Sequence, residues 1–385
     1  MINVLKLNSV SKLVNEIFDN KYKLTDECAN PELIIVRSAQ MAEYQPKENL
    51  LAVGRAGAGV NNIPFADYAK KGVVVFNTPG ANANAVKELV VAALLLSCRK
   101  IFEGINWAKG LDGKGSEVKG LIEKGKSQFT GREITGKTLG IAGLGAIGRL
   151  IADSCSALGM KVICYDAFLA ADAIANSSVT PVASMDEIYE KSDFITLNVP
   201  LTPDTKQMIN KDSIAKMKDG AVIINCARGE LVNNSDIIEA VNAGKIFKYF
   251  TDFPVEELLN VENIIPCPHL GASTPEAEDN CAVMVAKQLK DYVENGNIKN
   301  SVNFPNLSEE RSGGFRITVL ACGNPDAVTQ ISAALADARL NITKTGSAVR
   351  GDALYFIADT ADSVTPDVTA KLEKINGVSK VRVLA

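Results

Sequence analysis

The glycine spacing Gly143-Leu144-Gly145-Ala146-Ile147-Gly148 constrains this chain more than any other stretch, because of what flanks it. Residues 139–142 read as a strand leading in, and residues 147–158 as an amphipathic helix leading out. A strand that turns at once into a helix needs a residue without a Cβ at the turn, and Gly143 supplies it. Gly145 lets the backbone approach a pyrophosphate, and Gly148 lets the helix pack closely on the strand. The first turn of the helix then offers unpaired N–H groups to phosphate oxygens. Asp166 closes the next strand, about 20 residues further on, where a carboxylate meets the adenosine ribose of a dinucleotide. That carboxylate accepts from two ribose hydroxyls and repels a 2′-phosphate, so the expected cofactor is NAD rather than NADP.

The surrounding pattern agrees with this turn. Strand-like runs at 139–142, 162–165, 194–197, 222–225, 249–251 and 263–265 alternate with helical stretches at 147–158, 185–191, 211–216 and 235–243. This is the alternation of an α/β, doubly wound Rossmann nucleotide domain. Upstream, runs at 4–7, 33–36, 51–53 and 73–76 alternate with amphipathic segments, which predicts a smaller parallel α/β lobe over residues 1–95. Residues 84–109 are apolar on most sides and predict one long helix crossing between lobes. The glycines and lysines between 109 and 126 predict a solvated connector, or else an anion-attracting rim. Pro275 opens a helix that Gly296 ends, and its return to the first lobe makes that lobe discontinuous. Residues 305–314 are polar and mark a boundary, after which strand, helix, strand, strand, helix, strand follow in the order of a ferredoxin-like βαββαβ module. The expected domains are therefore 1–95 with 276–305, then 96–275, then 315–385.

Composition removes several classes of function. A net charge of −4 with both signs interspersed gives no footprint for nucleic acid or an anionic membrane. The longest apolar run, 89–96, is far short of the ~18 residues needed to span a bilayer. The N-terminus lacks the pattern of a signal peptide, and eight cysteines without a CxxC pair fit a reduced, cytoplasmic setting. One histidine rules out a His-rich metal site. A second glycine cluster, Gly54-Arg55-Ala56-Gly57-Ala58-Gly59, lacks the spacing and downstream acid of a nucleotide loop and reads better as an anion-binding turn presenting Arg55.

His269, the only histidine, is the one side chain whose ordinary pKa suits proton transfer near neutrality. It lies in Pro268-His269-Leu270-Gly271-Ala272-Ser273-Thr274. Three other segments, 198–205, 225–229 and 251–257, also fall at predicted strand ends on the ligand side of the sheet. In spacing and order, these segments with the glycine turn and Asp166 resemble the D-isomer-specific 2-hydroxyacid dehydrogenases over residues 1 to about 305. Ile35-Val36-Arg37-Ser38, residues 53–60 and Asn77-Thr78-Pro79-Gly80-Ala81-Asn82 look like those of the members acting on D-3-phosphoglycerate. The tail resembles the ACT regulatory domain that many of those members carry.

The resemblance implies NAD-dependent oxidation of D-3-phosphoglycerate to 3-phosphohydroxypyruvate and the reverse, the first step of serine biosynthesis. It assigns His269 as general base, Glu257 as the carboxylate that braces it, and Arg228 as the fork holding the substrate carboxylate and carbonyl. Counting from Asp252 gives Glu257, whereas counting from Phe253-Pro254 gives Glu256. Implied cofactor contacts are Gly143, Gly145, Ala146, Ile147, Gly148, Arg149, Asp166, Val199, Pro200, Thr205, Cys226, Ala227, Arg228, Asp252, His269 and Gly271. Implied substrate contacts are Arg37, Ser38, Arg55, Gly57, Gly59, Val60 and Asn82, with the arginines at the phosphate end.

A homodimer or homotetramer is also implied, pairing through the helix after Asn84 and its connector. An amino-acid effector would bind near Gly323-Asn324-Pro325-Asp326, but Asp326 stands where glycine is common and its carboxylate would repel the effector's own. The tail is thus expected to serve subunit pairing, with serine inhibition left open. The same architecture serves dehydrogenases for glyoxylate, hydroxypyruvate or erythronate 4-phosphate, and corepressor-like proteins that sense NAD. The first-lobe arginines and the tail favour an enzyme acting on a small phosphorylated hydroxy acid.

Overall fold

Alternating β-branched runs and helix formers build three sheets in this chain. The computed structural model describes residues 1–169, 179–312 and 314–385. They divide into two units, one of residues 1–82 with 275–385 and one of residues 83–274.

In the first unit β1 (Ile2–Leu7), β2 (Tyr22–Thr25), β3 (Leu33–Val36), β4 (Ala52–Arg55) and β5 (Val74–Phe76) pair in parallel in the order β2-β1-β3-β4-β5, the flavodoxin-like order. Helix Pro275–Asn295 packs on this sheet through Val285 and Leu289, and a Cβ on Gly54 would collide with Val285. Glycine on β4 therefore sets how closely the helix lies. Gly296, at φ +73, ends that helix as the sequence predicts.

In the second unit β6 (Thr138–Ala142), β7 (Lys161–Tyr165), β8 (Val179–Pro181), β9 (Phe194–Leu197), β10 (Ala221–Asn225), β11 (Ile246–Thr251) and β12 (Ile264–Pro266) are all parallel. Their order is β12-β11-β10-β9-β6-β7-β8, so the winding reverses between β6 and β9. Every residue of β9 and β10 is buried, as expected of strands covered on both faces. Ile141, Ile151 and Ile224 fill one core, and Ile195, Ile223 and Ile237 fill the other. Doubly wound sheets bind ligands at the carboxyl edge of such a reversal.

Two boundaries differ from the sequence expectation. The helix expected over 84–109 is two helices, Ala83–Cys98 and Ile101–Lys109. The first buries Val86, Val90, Ala93 and Leu94 in the core of the second unit, so that unit begins at residue 83 and not near 95. The connector over 109–126 is exposed as expected but largely helical, with a 3-10 turn Gly115–Glu117 and a helix Val118–Gly125. Among the described residues no helix is long and apolar enough to cross a membrane.

The tail, residues 315–385, has its own sheet and core and falls within the first unit. Its strands β13 (Phe315–Cys322), β14 (Ile342–Arg350), β15 (Ala353–Thr360) and β16 (Val378–Leu384) form an antiparallel sheet in the order β14-β15-β13-β16. Helices Ala327–Asp337 and Pro366–Glu373 interleave with them. One set of sheet residues, including Val319 and Phe356, packs with these helices. Another set, Leu320, Tyr355 and Ile357, joins a core with Val4, Val285 and Leu289. Polar ties reinforce this joint core. Lys380 Nζ donates to the carbonyls of Glu48 and Leu50 at 3.0 and 2.7 Å, and Arg382 donates to those of Tyr292 and Val293 at 3.1 and 2.8 Å.

Arg316 and Asp359, 0% and 1% exposed, form a two-pronged pair at 2.6 and 2.9 Å, and Arg316 also donates to the carbonyls of Asn295 and Glu309. Burial works against the Asp359 carboxylate, but Arg316 and the Ser312 N–H outweigh it and hold the carboxyl below its ordinary value. Asp359→Ala leaves a buried guanidinium short of its counter-charge and is expected to cost about 3–5 kcal/mol, read from urea unfolding. The wild-type contribution is complete above the ordinary carboxylate range and is lost as pH falls through the depressed value. A loss under about 1 kcal/mol would mean that the pair does not anchor the tail.

Candidate active site

The turn after β6 has the geometry its glycines predict. Gly143 sits at φ +89, and a Cβ there would lie 2.7 Å from Asn198 O and 2.8 Å from Val199 Cγ1. A Cβ on Gly148 would run into Gly143 O, so the first turn of helix Ala146–Ala157 is pressed onto the loop. A Cβ on Gly145 would meet nothing within 4 Å, which leaves that backbone open to a ligand. Gly145 caps the helix with no side-chain acceptor, so the amides around Ala146 and Ile147 are the anion-binding end. Arg149 is exposed one residue beyond Gly148. Asp166 accepts from Leu144 N–H at 2.8 Å and from Phe168 N–H at 2.9 Å, which fixes its carboxylate beside the turn.

Four neighbouring strands deliver the remaining groups at their carboxyl ends. Beyond β9, Thr205 Oγ1 donates to Pro200 O at 2.7 Å and accepts from Thr202 N–H at 2.8 Å, closing the loop that carries Val199 and Pro200. Beyond β10, Asn225 Nδ2 donates to Arg228 O at 2.8 Å and Asn225 Oδ1 accepts from Ala227 N–H at 3.2 Å. This buried amide shapes the Cys226-Ala227-Arg228 loop and leaves the Arg228 side chain exposed. Burial, then the nearby Asp252 and Cys267, pushes the Cys226 thiol up and keeps it neutral.

Beyond β11 comes Asp252, 1% exposed, with neither carboxylate oxygen in a hydrogen bond of normal geometry. The Gly271 amide faces it, and a Cβ on Gly271 would lie 3.4 Å from Oδ2. Burial raises Asp252 to about 6, against the pull of backbone amides and the Arg228 charge. A buried carboxylate met only by poorly aligned backbone amides has room for a ligand donor, and the carboxamide of a nicotinamide is such a donor. Together with the open Gly145 backbone and the fixed Asp166, the residues present fit a dinucleotide.

Beyond β12 comes His269, exposed, its ring 4.5 Å from that of Phe253 at 47°. Glu257 lies on the 3-10 turn Glu256–Leu258 and, with Phe253 and Gly229, lines a cavity of ≈ 610 Å³. Glu230 lines the same cavity, and Glu256 does not. Sequence reasoning missed Phe253 as the ring against His269 and Asn225 as the support for Arg228. The signals were present, in a buried amide closing a strand and an aromatic directly after Asp252.

In the other unit the arginine motifs also converge. Arg55 Nε donates to Arg37 O at 3.1 Å, and a Cβ on Gly57 would collide with the Arg55 guanidinium. Thr78 N–H donates to Gly57 O at 3.1 Å and Asn77 Nδ2 to Ala58 O at 2.6 Å. The loops carrying Arg37 and Ser38, Gly57 to Val60 with Gly59, and Asn82 are thus tied at the carboxyl ends of β3, β4 and β5. Arg37 is also paired with Glu278, which the sequence did not single out.

The Asp252 environment gives a prediction with a definite sign. Its folded value of about 6 lies above the ordinary 3.8, so the ionised group costs stability above that window and nothing below it. Asp252→Asn is expected to stabilise the free protein by about 2–3 kcal/mol at pH 8, with the gain vanishing near pH 4, as read by thermal unfolding. A destabilised Asn variant at pH 8 would show that the carboxylate has an internal partner.

The D-isomer specific 2-hydroxyacid dehydrogenase, NAD binding domain, matches residues 91–271. A D-3-phosphoglycerate dehydrogenase of Methanocaldococcus jannaschii is 35% identical over 77% of this chain and 56% of its own. D-3-phosphoglycerate dehydrogenase 2 of Saccharomyces cerevisiae is 31% identical over 98% of this chain and 86% of its own. The chain thus spans about half the length of some curated relatives and most of others. An NAD⁺-bound 3-phosphoglycerate dehydrogenase structure from Entamoeba histolytica superposes with a TM-score of 0.62 at 26% identity, covering 78% of this chain and 98% of that one. The site geometry and these likenesses place the chain in the D-isomer-specific 2-hydroxyacid dehydrogenase family, with its NAD-binding domain over residues 91–271.

Proposed function

We propose that this chain oxidises D-3-phosphoglycerate to 3-phosphohydroxypyruvate with NAD and catalyses the reverse reaction. The observation that carries the reading is one cluster at the carboxyl ends of β10, β11 and β12. It holds an exposed guanidinium, a buried carboxylate met only by backbone amides, and the chain's only imidazole against an aromatic ring. The names of the relatives support the substrate.

NAD, when bound, accepts hydride from C2 of the hydroxy acid or returns it. His269 removes the C2 hydroxyl proton in one direction and restores it to the carbonyl oxygen in the other. Phe253 supports the ring, and Glu257 is assigned as the acid that stabilises its protonated form. Arg228 offers a planar, permanently charged fork to the substrate carboxylate and polarises the carbonyl. Asp252 orients the nicotinamide end and Asp166 the ribose, while Gly143, Gly145, Ala146, Ile147 and Gly148 surround the pyrophosphate. Arg149, Val199, Pro200, Thr205, Cys226, Ala227 and Gly271 complete the assigned cofactor contacts. Arg37 and Arg55, with Ser38, Gly57, Gly59, Val60 and Asn82, are assigned to the phosphate end of the substrate. An uncharged hydroxy acid would need neither arginine.

The tail's strand order is that of a ferredoxin-like module, and we read it as an ACT regulatory domain. An effector amino acid at residues 323–326 would face the Asp326 carboxylate, so subunit pairing is the better-supported role. A second copy of the chain is assigned to the apolar face of helix Ile101–Lys109, where Ile101, Phe102 and Ile105 are 45%, 65% and 47% exposed. Eight free cysteines support a reduced, cytoplasmic location.

Turnover of NADH with 3-phosphohydroxypyruvate is the direct test, and a protein that binds NAD without turnover would be a sensor instead. His269→Ala is expected to lower kcat by about 10²- to 10⁴-fold, and undiminished turnover would reject His269 as the base. Arg55→Ala should raise KM for 3-phosphohydroxypyruvate far more than for hydroxypyruvate. Equal effects on both substrates would remove Arg55 from the phosphate end.

A further inference from the structure

The arginine cluster contains a carboxylate for which the proposed reaction has no use. Glu278 stands in the first turn of helix Pro275–Asn295, with Oε1 2.7 Å from Arg37 Nη1. Cys281 follows on the same helix, and its buried thiol lies beside Thr78, Arg55, Arg37 and Glu278. Thr78 is 0% exposed, and its hydroxyl faces the Cys281 thiol. Two guanidinium groups beside a buried hydroxyl form a setting for an anion with several oxygens. Glu278 is an anion already in it.

We infer that Glu278 is an internal competitor for the phosphate group: it occupies Arg37 until the substrate phosphate displaces it, and so sets how weakly that phosphate is held. The inference rests on reading Arg37 and Arg55 as the phosphate end. Displacement is inexpensive because the pair is partly solvated, the two side chains being 33% and 40% exposed. A phosphate monoester brings about −1.5 to −2 charge and three acceptor oxygens, more than one carboxylate can offer two guanidinium groups. Once displaced, Glu278 stays close on its helix and repels the bound dianion. Both effects loosen ground-state binding of substrate and product alike, and neither touches the reacting carbon. A carboxylate that instead orients Arg37 for the phosphate would act with the opposite sign, which makes the two roles separable.

The test uses the full chain, with inorganic phosphate as the probe. Phosphate is titrated calorimetrically into wild type, Glu278→Gln and Arg55→Ala, and KM and kcat are measured with 3-phosphohydroxypyruvate and with hydroxypyruvate. Glu278→Gln keeps the shape and removes the charge. It is expected to bind phosphate about two- to fivefold more tightly, the scale of one partly exposed ion pair. KM for the phosphorylated substrate should fall by a similar factor, with kcat not raised and KM for hydroxypyruvate unmoved. Unchanged or weaker phosphate binding in Glu278→Gln, while Arg55→Ala loses it, overturns the role of Glu278 alone. Phosphate binding that survives in Arg55→Ala, or is absent from wild type, overturns the phosphate-site reading and this inference with it.

Discussion

The close approach of Gly148 to the Gly143 carbonyl is the contact from which the ligand site follows. With no Cβ between them, helix Ala146–Ala157 starts against the end of β6, and its free amides stand at the carboxyl edge of the sheet. The strand order reverses between β6 and β9, so loops from β9 to β12 lie on one side of that edge and Asp166 on the other. A larger residue at either glycine would force the helix away from the strand. The anion-binding end and the ribose acid would then no longer share the turn through the Leu144 amide.

The chemistry on the other side of the edge is set by burial. Asp252 is held where burial disfavours its charge more than the facing backbone amides favour it, which is costly unless a ligand supplies better donors. His269 is exposed and packs at a tilt against an aromatic ring, a setting that supports the imidazole without burying it. One strand end thus keeps an acceptor fixed and dry, and the next keeps an imidazole accessible. Asn225, wholly buried, shapes the loop from which Arg228 projects.

How much of this was legible in the sequence depends on whether the determinant is local. The glycine turn, the strand ends that carry Arg228, Asp252 and His269, and the helix from Pro275 to the Gly296 stop are all written in short strings. The strands missed, β2 and β8, are edge strands of four and three residues with little buried surface, so their hydrophobic signal is weak. The break after Cys98 escaped notice because helix formers continue through it. What ends there is the core contact, since Cys98 is buried and Ile101 and Phe102 are exposed. Pairings across the chain were invisible for the same reason: the Phe253 ring against His269 and the Arg37–Glu278 pair depend on loop closure and helix rotation.

The Arg37–Glu278 pair also bears on why an arginine motif alone does not measure affinity. Two arginines after neighbouring strands suggest a strongly cationic turn when read from sequence. In the fold, Glu278 pairs with Arg37 from a helix that begins only six residues after His269 in the chain. An enzyme that turns over a dianion gains rate only from interactions that strengthen in the transition state, and a phosphate held equally in ground and transition state does not qualify. On the proposed reading, offsetting part of the charge keeps recognition of the phosphate while limiting how long substrate and product are held. The same helix carries Val285 and Leu289 against Gly54 of β4, so the position of the competing carboxylate is fixed by core packing.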